Sequence, residues 1–164
     1  MKKSLILLIL FLAYAGTACG EEMIGQGPIS GKIYLSGTSK VMAMGEERIQ
    51  MNYEGAGVFA ADSGKGFSHL AAVHSMGTLH AVKGDFEETG FMVFTSPSGD
   101  KAFATYNGSG TLGKTGKGTW TYTGGTGKLT GIKGSGDFTR YSLQYATDGV
   151  WTTMSISKGD FKLP

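Results

Sequence analysis

Thr119-Trp120-Thr121-Tyr122-Thr123 alternates hydroxylated and aromatic side chains at every position. An extended chain points successive side chains to opposite faces, so this stretch reads as a strand with one aromatic and one polar face. The same period recurs near the end of the chain. Val150, Thr152, Met154 and Ile156 share one parity, and Trp151, Thr153, Ser155 and Ser157 share the other. Working outward, apolar residues alternate or sit in short runs, and glycine punctuates them. No stretch holds a helical period for long. The strands expected are 29–35, 41–44, 48–53, 57–61, 67–82, 87–95, 101–108, 118–123, 129–132, 136–145 and 150–157. The long segment 67–82 is expected to bend or break at Gly77. Ser96-Pro97-Ser98-Gly99-Asp100 and Thr147-Asp148-Gly149 carry the turn chemistry of hairpins.

Composition limits what such strands can build. Glycine supplies 28 of the 164 residues, and only three prolines occur. Apolar residues make up 40%, enough for a core. About eight to ten short strands with no crossover helix leave a sandwich or a barrel. Closure removes sheet edges, and glycine permits the corners and bulges that a tight barrel demands.

The N-terminus reads as an export signal. Lys2 and Lys3 precede the unbroken apolar run from Leu5 to Ala15, which is too short for a membrane span of about 20 residues. Residues 1–18 are therefore expected to be a signal peptide, 19–28 a flexible tether and 29–164 a single domain. Cys19 is the one cysteine, so no intramolecular disulfide can form. Gly16-Thr17-Ala18-Cys19 resembles the lipobox of bacterial lipoproteins, with Gly16 where that family carries leucine. It implies lipidation at Cys19 and a periplasm-facing or cell-surface lipoprotein. Cleavage after Gly20 would instead give a freely secreted protein. The chain carries 15 Lys and Arg against 13 Asp and Glu. Two of those lysines leave with the leader, so the mature charge balances. That balance excludes a strongly basic nucleic-acid binder.

Gly124–Thr139 reads GGTGKLTGIKGSGDFT. With Thr119–Thr123 and the earlier Thr95-Ser96-Pro97-Ser98-Gly99-Asp100-Lys101, it resembles a group of small exported bacterial proteins of uncharacterised function. Their fold is related to the allene oxide cyclase and dirigent-protein barrels. The resemblance covers roughly Phe67 to Ser157. It implies an all-β fold, a single antiparallel barrel of about eight strands with a hydrophobic interior. It brings no catalytic residues, because no motif aligns them.

The motifs that could carry chemistry are few. Gly108–Thr115 (GSGTLGKT) matches the phosphate-loop pattern, but glycines and a β-run follow it where a helix is needed, so a hairpin loop is expected. His69, His74 and His80 fall in one segment. His74 and His80 share a parity with Leu70, Met76 and Val82, yet stand about 20 Å apart along a straight strand. No ligand spacing for a metal accompanies them, and no metal or cofactor is expected. Glu46-Glu47 and Glu87-Glu88 are adjacent pairs, so the members of each point to opposite faces and are expected to be solvated. The candidate ligand-binding residues are His74, His80, Met76, Trp120 and Tyr122, as polar and aromatic lining of a barrel cavity. The function expected is a non-catalytic envelope barrel that binds a small hydrophobic ligand or a partner and meets the membrane only through Cys19. The alternatives are a cyclase or isomerase acting on a hydrophobic substrate, and a solid-core structural protein.

Overall fold

Turns that contain left-handed residues join several strands to their sequence neighbours. Lys83 and Gly84, at φ 54° and 87°, make a two-residue hairpin of the type whose twist matches the flanking strands. Ser96–Asp100 turns as expected, with Gly99 at φ 90° and the Ser98 hydroxyl donating to Asp100 at 3.0 Å. The computed structural model describes residues 25–143 and 149–164. It contains β1 (Gln26–Ala43), β2 (Arg48–Ala61), β3 (Ala71–Val82), β4 (Asp85–Thr95), β5 (Lys101–Thr111), β6 (Gly116–Gly125), β7 (Lys133–Ser142) and β8 (Val150–Lys162). Each strand pairs antiparallel with the next, and β8 returns to β1, so the eight strands close a barrel in chain order.

Several expected elements differ. Segments 29–35 and 41–44 are one strand, β1, and segments 48–53 and 57–61 are one strand, β2. The glycines between them do not turn the chain. They make room for Trp151, whose ring occupies the space a side chain at Gly37 or Gly55 would need. Strand β3 starts at Ala71, after Leu70 at φ 55°, and runs through Gly77 without a break. Segment 129–132 is not a strand. Gly127–Leu129 forms a 3-10 turn, and Leu129 and Ile132 plug one barrel end, each 1% exposed. Gln26, Gly27 and Pro28, expected in the tether, pair with Lys162, Phe161 and Asp160 as the start of β1. The phosphate-loop pattern lies on the β5–β6 hairpin, with no helix after it. The segment expected to be a signal peptide, Cys19 and the residues Thr147-Asp148 lie outside the described residues.

The core is built from aromatic rings laid on glycines. One inward-facing register runs Ser39, Tyr53, Gly77, Gly90, Tyr106, Trp120, Gly136, Gly159 across successive strands. The Tyr53 ring covers Gly77, and the Trp120 ring covers both Gly136 and Gly159. The barrel ends differ. At the end holding the termini and the β6–β7 loop, Phe67 meets Phe161 edge-on at 5.0 Å beside Leu129 and Ile132. At the hairpin end, inward-facing positions lose their cover. Ser39, Ile49 and Met51 are half-buried, and Val41 is 55% exposed.

A methyl group at Gly136 would sit 2.7 Å from the Trp120 ring and 2.7 Å from Gly159 Cα. Gly136→Ala is therefore expected to lower stability by about 1–3 kcal/mol, the usual cost of overpacking. Gly25→Ala meets nothing within 4 Å and should leave the urea midpoint unchanged, so comparing the two denaturation curves checks the ring-on-glycine packing.

Candidate functional site

Strand parity on β4 turns Phe86, Glu88, Met92 and Phe94 inward together. A carboxylate is thereby carried into the barrel, where its side chain is 2% exposed. A charge so placed is tolerated only when its oxygens are satisfied. Arg140, inward on β7 with Phe138, supplies the charge. Its Nη1 donates to Glu88 Oε1 at 2.5 Å and to Oε2 at 2.6 Å. The Tyr53 hydroxyl donates to Oε2 at 2.6 Å. Because that proton is committed, the 2.7 Å contact between Tyr53 and Tyr106 must be donated by Tyr106. Ser75 in turn stands 3.3 Å from the Tyr106 hydroxyl. The result is a directed chain, Ser75 to Tyr106 to Tyr53 to Glu88, closed by Arg140. The guanidinium also lies over the Tyr106 and Phe138 rings, at 5.6 and 5.1 Å.

The electrostatics fix what this cluster can do. Burial raises the Tyr53 hydroxyl far above its ordinary value, and the Glu88 carboxylate and Tyr106 add to the rise. Burial raises Tyr106 as well. Burial works against the Arg140 charge, but Glu88 outweighs it and holds the guanidinium above its usual range. Both phenols are thus neutral donors, and both Glu88 oxygens are occupied. The cluster can hold and orient an oxygen-bearing group, but it offers no free base. Three buried donors, Arg140 Nε, Trp120 Nε1 and Trp151 Nε1, have no hydrogen-bond acceptor among the described residues. Trp151 meets Tyr53 edge-on at 6.0 Å.

The five residues singled out in the sequence do not come together. Trp120 and Tyr122 face inward and line a void of only about 10 Å³, with Ile33, Phe59, Met92 and Phe94. Burial pushes the Tyr122 hydroxyl up. His74, Met76 and His80 do share one face of β3, but it is the outer one. The opposite parity carries Ala71, Val73, Ser75, Leu79 and Ala81, small or aliphatic side chains that fit beneath the tyrosines. His74 Nε2 contacts Glu54 Oε1 at 2.7 Å with both side chains half exposed, a solvated pair of little energetic weight. Met76 stands opposite Phe91 on the outer wall, and both are exposed. His80 stands opposite Glu87. Among the described residues no three His, Cys, Asp or Glu gather closely enough to hold a metal ion.

Sequence reading missed Glu88, Arg140, Tyr53, Tyr106 and Ser75 as a unit. Glu87 is solvated as expected, but Glu88 is not, because the adjacent position faces the core. The signal was present: Glu88 shares a parity with Phe86, Met92 and Phe94, and Arg140 shares one with Phe138.

Removing one member of this pair strands the other as a buried charge. Arg140→Met is expected to cost about 3–5 kcal/mol, with much of the loss recovered in the double variant Glu88→Leu/Arg140→Met; thermal melts of the three proteins check it. The raised tyrosines add a pH dependence. The folded state keeps protons that the unfolded chain releases near the ordinary value of 10.0. Their contribution is fully present below about pH 10 and is lost as the pH climbs beyond it. Tyrosinate absorbance should show Tyr53, Tyr106 and Tyr122 ionising only with alkaline unfolding.

No family model and no curated protein matches the chain. Among solved structures it is similar to a pterocarpan synthase dirigent protein, with a TM-score of 0.56 at 9% sequence identity, over 85% of this chain and 92% of that one. The closed eight-stranded antiparallel barrel is thus a dirigent-like barrel.

Proposed function

We propose that the protein is an exported, non-catalytic barrel that holds a small, largely apolar ligand with an oxygen-bearing end at its open mouth. The observation that carries this reading is the polar floor under an apolar rim. Tyr53, Glu88 and Arg140 lie beneath the half-buried Ile49 and Met51. Around them Val41, Met44, Leu112 and Leu143, all on or beside the hairpins of that end, expose 38–55% of their surface. Such side chains normally seek cover, and a ring of them marks an interaction site. The Arg140 side chain, 20% exposed, offers a cation to the oxygen-bearing end of the ligand. Neutral phenols and a fully engaged carboxylate favour holding over acid–base chemistry. The dirigent-like fold fits a guiding role.

The termini favour a geometry for the anchor. Gln26 opens β1 at the closed end of the barrel. A lipid on Cys19 would therefore set the closed end toward the membrane and turn the open mouth away, toward ligand in the aqueous compartment. The closed half is filled, with its void of about 10 Å³, and that observation favours a second reading, a solid structural barrel.

Native mass spectrometry of the mature domain, with extraction after unfolding, separates the two. A small molecule released from the wild type and absent from Met51→Trp, which fills the mouth, is the expected result. A bare chain mass after incubation with hydrophobic acids and phenols would leave the structural reading. The intact mass of the membrane-fraction protein checks the anchor: a chain starting at Cys19 with added acyl mass is expected, and a start near Glu21 would remove it.

A further inference from the structure

A broad concavity lies on the outer wall of the barrel. It is a groove of about 500 Å³ crossing β2 to β6. Its lining follows from register. Thr78, Thr89, Asn107 and Thr119 are cross-strand partners in one outward row, and Gln50, His80, Glu87, Ser109 and Lys117 are partners in the next. Every side chain in these two rows is polar. Glu88, Gly108 and Gly118 also border the groove, but Glu88 aims its carboxylate into the barrel, and the two glycines add only backbone.

We propose that this groove binds a neutral, polyhydroxylated ligand, a linear oligosaccharide laid across the strands. Charge supports the class. One Glu and one Lys balance in the two rows, so a strongly charged ligand gains nothing there. Hydroxyls and amides dominate, and these match the mixed donors and acceptors of sugar hydroxyls. Most of them are free. Gln50 donates to Thr78, and the Thr89 hydroxyl donates to the Tyr106 carbonyl at 3.2 Å. Among the described residues no side-chain hydrogen bond or ion pair engages His80, Asn107, Ser109, Lys117 or Thr119. Spacing supports the orientation. Strands stand about 4.8 Å apart, so the groove offers a repeat of polar groups over roughly 19 Å. A pyranose unit is about as long as one such interval. The site is separate from the mouth, because its side chains point away from the barrel interior.

The test is a nuclear magnetic resonance titration of the mature domain with a panel of neutral linear gluco-, xylo-, manno-, galacto- and chito-oligosaccharides of about four units. The expected result is saturable shifts confined to outward positions of β3 to β6 for at least one of them. Affinity should fall about tenfold in Asn107→Ala and be abolished in Ser109→Trp, which fills the groove. Both positions are exposed, and an unchanged amide spectrum elsewhere confirms folding. No shift with any member of the panel overturns the proposal. So does binding that survives Ser109→Trp, and so do shifts confined to the mouth residues Ile49 and Met51. Shifts in the groove with inorganic phosphate but not with the sugars would overturn the ligand class.

Discussion

The interior of this barrel depends on large rings resting on glycines. A closed sheet of eight strands encloses little space, and uniform side chains would overfill or underfill it. Here Trp151 lies on Gly37 and Gly55, Trp120 on Gly136 and Gly159, Phe138 on Gly118, and Phe59 on Gly31. The abundance of glycine, which in the sequence looks like punctuation, is in large part complementary packing volume. Few of these glycines can be traded one at a time. Each methyl added would displace a ring that also covers a second strand.

That packing makes the polar cluster tenable. Gly77 and Gly90 leave space in which the Tyr53 and Tyr106 hydroxyls approach each other, and Gly108 leaves space beside Glu88 Oε1. Without those gaps the carboxylate could not be reached by a tyrosine from β2 and an arginine from β7 at once. A buried ion pair is weak evidence for stability, because the cost of desolvation offsets most of the attraction. Its geometry is better read as specification. Five strands must be in register for the chain from Ser75 to Arg140 to close, so a slip of one residue would expose or orphan the charge.

Fold class was legible because alternation survives in single segments such as Thr119–Thr123. Strand ends were less so. Gly37, Gly55 and Gly77 read as breaks, since local sequence cannot show a ring arriving from another strand. The inward parity of β3 was also hidden, because His74, Met76 and His80 form the more chemically conspicuous set while Ala71, Ser75 and Ala81 look inert. On β4 the reverse held. Phe86, Met92 and Phe94 fix the inward parity, and Glu88 follows from it. Trp120 and Tyr122 face inward, yet they fill the core instead of lining a chamber, because Phe94 and Trp120 both close on Tyr122 within 6.3 Å.

Register explains why the described residues at the hairpin end are more exposed. Following inward partners around the barrel from Val41 on β1 passes through Met51, Leu79, Glu88, Gly108, Gly118, Phe138 and Ser157 and returns to β1 at Gly31. The strands therefore lean strongly, and level positions on opposite walls belong to very different points along β1. Pairing of β1 with β8 stops at Thr38 and Val150, while pairing with β2 continues to Ala43 and Ile49. The β1–β2 hairpin overhangs the mouth as a result, and Val41 and Met42 stay exposed although the sheet beneath them is filled. Among the described residues no loop on that side supplies an equivalent of Leu129 and Ile132, whose segment plugs the other end. The same lean carries Arg140 on β7 to the level of Ile49 on β2, close enough to the mouth to keep 20% of its side chain exposed. A cation bound to a buried carboxylate yet touched by solvent at the apolar end follows from the stagger, and it is the feature that sets the mouth apart from the sealed base.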